Sequence, residues 1–372
     1  VHYPLWSNRN SLNYVGSMRL PYLLIFYFPF YIVNAPAEVF FKFAIVSVFV
    51  ISGFSMYVTA RHFLNKRYAD RKTVFLCCMI SSLFYAFNPW VMDRVQHFFL
   101  LVTYSLVPLI FLASFQVFSE GRVDLKRVLA LILLCSIAST SPHSVFFLLF
   151  LIISLYAFLL LLNRRQFVPK TKNFLLFAVL YILVSAFWIF PLADYMLFTG
   201  SLHPDYILHW DNIRHLSRNA YLFNVFRFVA QWWPQVNYSF ETFPLNVLWI
   251  FSSVAVPTLC FLALVFHKKD RVAVYLSVLG VVLIFLAEGA RSPLPNFYEW
   301  LCFDAPILSS FGWLFRDPDK WILLLPLVYS VLLALTGLGV MRLISRLRKA
   351  IFRNVATSAF CLLYTSPSPR DS

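Results

Sequence analysis

His97-Phe-Phe-Leu-Leu-Val-Thr-Tyr-Ser-Leu-Val-Pro-Leu-Ile-Phe-Leu-Ala-Ser-Phe-Gln-Val-Phe118 runs for 22 residues without an Asp, Glu, Lys or Arg. As a helix rising ~1.5 Å per residue it reaches about 33 Å, enough to cross a hydrocarbon core of ~30 Å. Lipid offers the backbone no hydrogen-bond partner, so such a run is stable there only as a helix that bonds to itself. The reading repeats along the chain, near 39–60, 73–92, 97–118, 127–142, 143–163, 173–197, 244–266, 272–289 and 321–341. The composition agrees. Hydrophobic residues make up 60% and charged residues 13%, where soluble domains carry about 45–50% and about 25%. A mean hydropathy of +0.74 excludes both a water-soluble globular chain and a disordered one. The expected fold is all-α: a polytopic transmembrane bundle of about nine spans with long extracytoplasmic loops.

Charge sets the orientation. Alternate loops from residue 61 onward carry twenty basic residues against four acids (Asp70, Glu120, Asp124 and Asp270). The other loops carry nine basic residues and are outnumbered by acids. The positive-inside rule assigns the first set to the cytoplasm. The net charge of +15 then reports orientation and contact with anionic headgroups, and no nucleic-acid partner is expected. The divisions that follow are an extracytoplasmic loop 1–38 with an interfacial or re-entrant helix near 20–33, spans 1–6 over 39–197, a loop 198–243, spans 7–8 over 244–289, a loop 290–320, span 9 over 321–341 and a basic cytoplasmic segment 342–361. The chain begins at Val1, and 362–372 (LLYTSPSPRDS) reads as translated adaptor sequence; truncation at both ends is expected. Six Cys form no C-x-x-C pair, and no Gly-rich phosphate loop is present.

The chemistry-bearing residues gather in the loops opposite the basic ones. In Asn88-Pro-Trp-Val-Met-Asp-Arg-Val-Gln-His97, Asp93 and His97 stand four apart and would share a helix face. A carboxylate beside an imidazole suits a general base or a metal ligand; the plainer reading is an interfacial Trp anchor with a surface ion pair. In Phe315-Arg-Asp-Pro-Asp-Lys-Trp321, Arg316 and Lys320 could clamp a phosphate at headgroup depth, joined by Arg94. Asp317 and Asp319 would hold those cations or bind a divalent metal (Mg, Mn or Ca), or the segment simply begins a helix. His143 at a hairpin tip, Asp194 and Glu288 are further pocket candidates. Trp232 and Trp233 could stack on a sugar or lie in the membrane interface.

Tyr3-Pro-Leu-Trp6, Arg19-Leu-Pro-Tyr22, Phe87-Asn-Pro-Trp-Val-Met-Asp-Arg94 followed by Tyr104-Ser-Leu-Val-Pro-Leu109, and Phe315-Arg-Asp-Pro-Asp-Lys320 together resemble polytopic glycosyltransferases of the GT-C fold. More narrowly, they are similar to archaeal and bacterial membrane proteins related to arabinofuranosyltransferases and to the YfhO-like proteins. The resemblance implies a plasma-membrane, multi-pass enzyme. It would take a sugar from a lipid-linked polyprenyl-phosphate donor to a glycan, lipid or protein acceptor on the extracytoplasmic face. It also implies an acidic residue in the first outer loop; residues 1–37 contain none, so either that carboxylate lies upstream of Val1 or the protein lacks the activity. Two other classes stand beside it. A flippase or transporter of lipid-linked glycans would need repeated halves and charge near the bilayer midplane, whereas the chain shows no internal repeat. A non-catalytic subunit of a cell-envelope glycan assembly complex would need no catalytic carboxylate.

Overall fold

The computed structural model describes residues 17–65, 70–119, 123–162, 167–199, 209–230, 246–291, 293–306 and 308–364, and every regular element among them is a helix. The order begins with α1 (Leu20–Ile32), α2 (Ala37–Asn65), α3 (Arg71–Ala86), the one-turn α4 (Pro89–Asp93), α5 (Phe98–Ser119), α6 (Leu125–Ala138) and α7 (Pro142–Leu162). It continues with α8 (Phe167–Thr199), α9 (Trp210–Leu216), α10 (Leu222–Phe226), α11 (Asn246–Phe261), α12 (Ala263–His267), α13 (Arg271–Glu288) and α14 (Pro295–Phe303). Two 3-10 turns, Ser309–Leu314 and Pro318–Leu324, lead into α15 (Leu325–Tyr364).

Among the described residues, seven stretches are long and apolar enough to cross a membrane: α2, Arg71–Asp93, α5, α7, Phe167–Ala193, α13 and Pro318–Leu347. Their outward faces are apolar as well, with Val50 and Phe54 on α2 and Ile182 and Phe190 on α8 exposed. A chain that is greasy outside as well as inside is suited to lipid. This is a multi-pass membrane architecture.

Two of the nine expected spans come out shorter. The run 127–142 yields only the 14 residues of α6, about 21 Å of helix, because Ser139 leaves helical geometry and Pro142 starts the next helix. The run 244–266 is divided after Phe261. Pro257 lies within α11 and cannot donate to its preceding turn; the bonds beyond it tighten to Leu262 N–Leu259 O (3.2 Å) and Val265 N–Leu262 O (3.0 Å). Among the described residues this run is not one of the seven stretches long and apolar enough for a crossing. The segment near 20–33 is the short apolar α1, with a π-helical turn over Leu23–Tyr27 just before Pro29.

The axis of the bundle is the last crossing. Its apolar window is 89% buried, against 28% in α2, and α15 packs on α2, α3, α11, α12 and α13. Gly339 permits the α12 contact, since a Cβ there would lie 2.4 Å from the Phe266 ring. At the basic-loop end, three of the four acids have a structural task. Asp70, Asp124 and Asp270 cap α3, α6 and α13 through backbone N–H groups. The loop expected over 198–243 is not a loose excursion in its described part, 209–230. It folds into the bundle, where Ile213, Ala220 and Val225 are buried and the Phe228 ring lies 5.0 Å from Tyr329.

Two prolines fix how α3 meets α5. Pro108 lies inside α5 and has no N–H for the Tyr104 carbonyl; the Tyr85 hydroxyl donates to that carbonyl at 2.7 Å. Pro89 likewise leaves the Tyr85 carbonyl without its helical donor, and the Tyr104 hydroxyl supplies one at 2.6 Å. The rings stack at 4.3 Å between centroids. Each tyrosine thus satisfies the carbonyl orphaned by the other helix's environment.

Two predictions follow from this arrangement. On a background without native Cys, a cysteine at Lys126 should be protected from an impermeant thiol reagent in intact cells and one at Asn296 should react; the reverse would invert the orientation. Tyr85→Phe should leave the Tyr104 carbonyl buried and unpaired, costing about 1–3 kcal/mol, read as a lower thermal unfolding midpoint in detergent.

Candidate functional site

The first half of the site is the turn after α3. The Asn88 side chain accepts from Val91 N at 3.3 Å and caps α4, with Pro89 at the first helical position. Asn88 Nδ2 also donates to the Tyr85 carbonyl (2.9 Å) and the Tyr104 hydroxyl (2.8 Å), so the tyrosine pair fixes the turn. One turn of helix then directs Arg94 inward, leaves Asp93 half-buried and sets His97 at the surface. The second half is the entry to the last crossing. The Tyr298 hydroxyl donates to the Phe315 carbonyl at 2.5 Å, and Pro318 starts a 3-10 turn after an extended Asp317.

The two halves, 225 residues apart in sequence, meet through Arg94 and Asp319. The guanidinium donates through Nη2 to Asp319 Oδ2, and both side chains are 1% exposed. Trp90 Nε1 donates to the Asp319 carbonyl at 3.3 Å. Asp317 Oδ2 lies 3.7 Å from Arg94 Nη2 and 3.7 Å from Lys320 Nζ, bridging the buried cation and a more accessible one. Lys320 Nζ lies 3.1 Å from His143 Nε2. An ammonium has no lone pair, so Nε2 is the acceptor. The His143 ring meets Trp313 edge-on at 5.3 Å. Its hairpin tip is tied down by Thr140 Oγ1, which donates to the Phe99 carbonyl at 2.7 Å, and by Thr103 Oγ1, which donates to the Ala138 carbonyl at 2.7 Å.

Electrostatics separate an interior from a mouth. Buried carboxylates and guanidinia are costly to desolvate and persist only when paired; Arg94 and Asp319 are the paired interior. Three atoms of that cluster, Arg94 Nε, Asp317 Oδ1 and Asp319 Oδ1, are buried without a hydrogen-bond partner among the described residues, an uncommon condition in a folded chain. The mouth holds half-buried Asp93 and Arg316, the largely covered Lys320, and His97. No ion pair of Arg316 forms among the described residues. His97 titrates below its ordinary range, from partial enclosure first and then the Arg94 and Lys320 cations, with Asp317 opposing. Its imidazole is therefore neutral near pH 7 and free to accept a proton.

No protein-family model, curated protein or solved structure matches the chain. The site is read from its own geometry.

Of the residues singled out from sequence, Asp93, Arg94, His97, His143, Arg316, Asp317, Asp319 and Lys320 come together at one end of the bundle. Arg94 departs from its expected role: it was expected to hold a donor phosphate, but it is enclosed by protein and committed to Asp319 and Asp317. Asp317 and Asp319 face Arg94 as counterions. Among the described residues no three His, Cys, Asp or Glu are grouped to hold a metal ion. Glu288 is buried at the end of α13 without an ion pair among the described residues and stands outside the cluster. Asp194 lies on the last turns of α8, its side chain outside the described residues, as are Trp232 and Trp233. Two contributors escaped the sequence reading: Tyr85 and the Thr103–Thr140 pair. The Pro89 and Pro108 offsets from Tyr85 and Tyr104 were the available signal for the first.

The buried pair predicts an asymmetry. Asp319→Asn should cost about 3–5 kcal/mol, because it strands a buried guanidinium. The double variant Arg94→Met/Asp319→Leu should recover much of that loss, measured by unfolding midpoint and yield in detergent. Equal damage in the single and double variants would reject a pairing role.

Proposed function

We propose that this protein is a membrane glycosyltransferase of GT-C-like architecture, moving a sugar from a polyprenyl-phosphate donor to a hydroxyl of a glycan, lipid or protein acceptor. The observation that carries the reading is the convergence at one bundle end of a half-buried carboxylate, a neutral imidazole and two cations, Arg316 and Lys320. The sequence alone left these as separate motifs. The charge asymmetry between the loops supports an extracytoplasmic position for this end, and the reading takes the membrane to be the plasma membrane.

In the proposed reaction the acceptor hydroxyl attacks the anomeric carbon and gives its proton to Asp93, with His97 alongside. The bond from that carbon to the phosphate oxygen breaks, and the electron pair leaves with the phosphate. Arg316 and Lys320 meet the charge that develops there. Arg94 does not touch the substrate; it holds Asp317 and Asp319 so that Lys320 and the Asp93 turn keep their places.

The test is transfer by the purified protein in lipid with a labelled polyprenyl-phosphate sugar. Asp93→Asn should lower turnover by roughly 10²–10⁴-fold, the usual contribution of a general base, with unfolding unchanged. Arg316→Lys keeps charge but loses the planar fork. It should weaken donor binding by about tenfold to a hundredfold, the equivalent of one charge-assisted hydrogen bond. Wild-type turnover in Asp93→Asn would return Asp93 to an interfacial anchor, whereas no transfer by the wild-type protein itself would favour a non-catalytic assembly subunit.

A further inference from the structure

A second feature lies at the other end of α5 and α7 from the charge cluster. Both helices start beside the cluster, next to His97 and at His143, and end at Ser119 and Leu162; each is long enough to cross the bilayer. Where they end, a cavity of about 110 Å³ opens between them and the first residues of α8 and α13. It has room for several water molecules, and so for a phosphate group. Phe115, Phe158 and Leu162 are among the residues that line it. Leu162 is 40% exposed, so the cavity is continuous with the apolar surface that faces lipid.

Two cations, Lys170 and Arg271, line the same cavity, and among the described residues no Asp or Glu does. Lys170 is 3% exposed. Its Nζ donates to the Leu159 carbonyl at 2.8 Å, near the end of α7, where a cation is favoured. That bond employs one of the three N–H groups of the ammonium. Neither cation forms an ion pair among the described residues, and the Arg271 charge repels that of Lys170. The acid beside Arg271 is committed to the backbone: Asp270 Oδ1 accepts from Val272 N at 2.9 Å and from Ala273 N at 3.4 Å. The helix ends do not neutralise the pair either. Two C-termini (α5, α7) and two N-termini (α8, α13) meet here, and their partial charges oppose one another. A buried ammonium beside a second cation is costly unless an anion joins them.

We propose that this cavity is a binding site for an anionic phospholipid, its phosphate held by Lys170 and Arg271 and its acyl chains leaving past Leu162 onto the lipid-facing surface. Both cations supply charge-assisted N–H donors, Arg271 in a fork that can meet two phosphate oxygens. Ser119, on the same wall, adds a hydroxyl that can donate to a third. Phosphate is the chemistry shared by a lipid headgroup and a free ion; aromatic and aliphatic walls at the end of membrane-crossing helices fit the lipid. The site does not rest on the transfer reaction proposed above, and either reading can fail without the other.

The experiment is native mass spectrometry of the delipidated protein after titration with phosphatidylglycerol or phosphatidylcholine carrying identical acyl chains, with and without inorganic phosphate. Wild type should retain one phosphatidylglycerol at least about tenfold more tightly than phosphatidylcholine, whose quaternary ammonium is repelled by the two cations. Arg271→Gln and Lys170→Met should each erase that preference. Lys268→Gln, which removes an exposed cation of the same loop outside the cavity, should leave it intact. Arg271→Gln tests the site even where Lys170→Met, which also strips the Leu159 carbonyl of its donor, fails to fold; unfolding midpoints report integrity. Equal retention of the two lipids by wild type, an equal loss in Lys268→Gln, or a preference unchanged in folded Arg271→Gln would each overturn the proposal. So would displacement of phosphatidylglycerol by equimolar inorganic phosphate, which would make this a site for the free ion.

Discussion

The pairing of Arg94 with Asp319 is the contact on which the rest of the site depends. Neither group survives in a largely apolar interior alone, because each would forfeit its hydration without return. Together they oblige the turn between α3 and α5 to sit against the entry of the last crossing. That crossing is the most buried helix of the bundle, so the pair anchors the peripheral turn to the axis. Asp317 extends the same field outward to Lys320, and Lys320 to His143. A chain of charge thus links three separate segments at one end of the molecule.

The Arg94 turn is held from its other side by the tyrosine pair. A carbonyl deprived of its helical donor by proline is a liability in lipid, where no water can replace it. Here the two liabilities are placed opposite each other and resolved by two hydroxyls, at 2.6 and 2.7 Å. Asn88 completes the joint by capping α4 and bonding both tyrosines. The Asn-Pro-Trp and Tyr-Ser-Leu-Val-Pro motifs are therefore architectural. They direct Asp93 and His97 to the mouth and need not touch a ligand themselves.

This division changes what the charged residues mean. In a linear reading Arg94, Arg316 and Lys320 are three equivalent cations at one membrane boundary. In the fold Arg94 is sealed inside, while Arg316 and Lys320 stand nearer the mouth. A ligand anion can be met only by cations it can reach, so any phosphate-holding role falls to the latter two. The same distinction separates Glu288 from the cluster: it is equally buried, yet its carboxyl oxygens have no partner among the described residues.

The sequence by itself determined the solvent of this chain. Long runs free of charge, such as 97–118 and 143–163, leave the backbone no option in lipid but the helix, and that inference needs no tertiary information. It also marked both motifs of the site, because clustered charge beside apolar runs is conspicuous. It counted nine crossings where seven stretches among the described residues have the length and apolarity for one; the helices break at Ser139 and after Phe261, and hydropathy averages over a broken helix. Only the tertiary structure decided which charges are interior. Burial of Arg94 depends on Asp319, 225 positions away, and a local pattern carries no information about a counterion at that separation. The partnering of His143 with Lys320 and the isolation of Glu288 are of the same kind: each is set by which helix ends meet, and helix ends meet according to packing around the axial crossing.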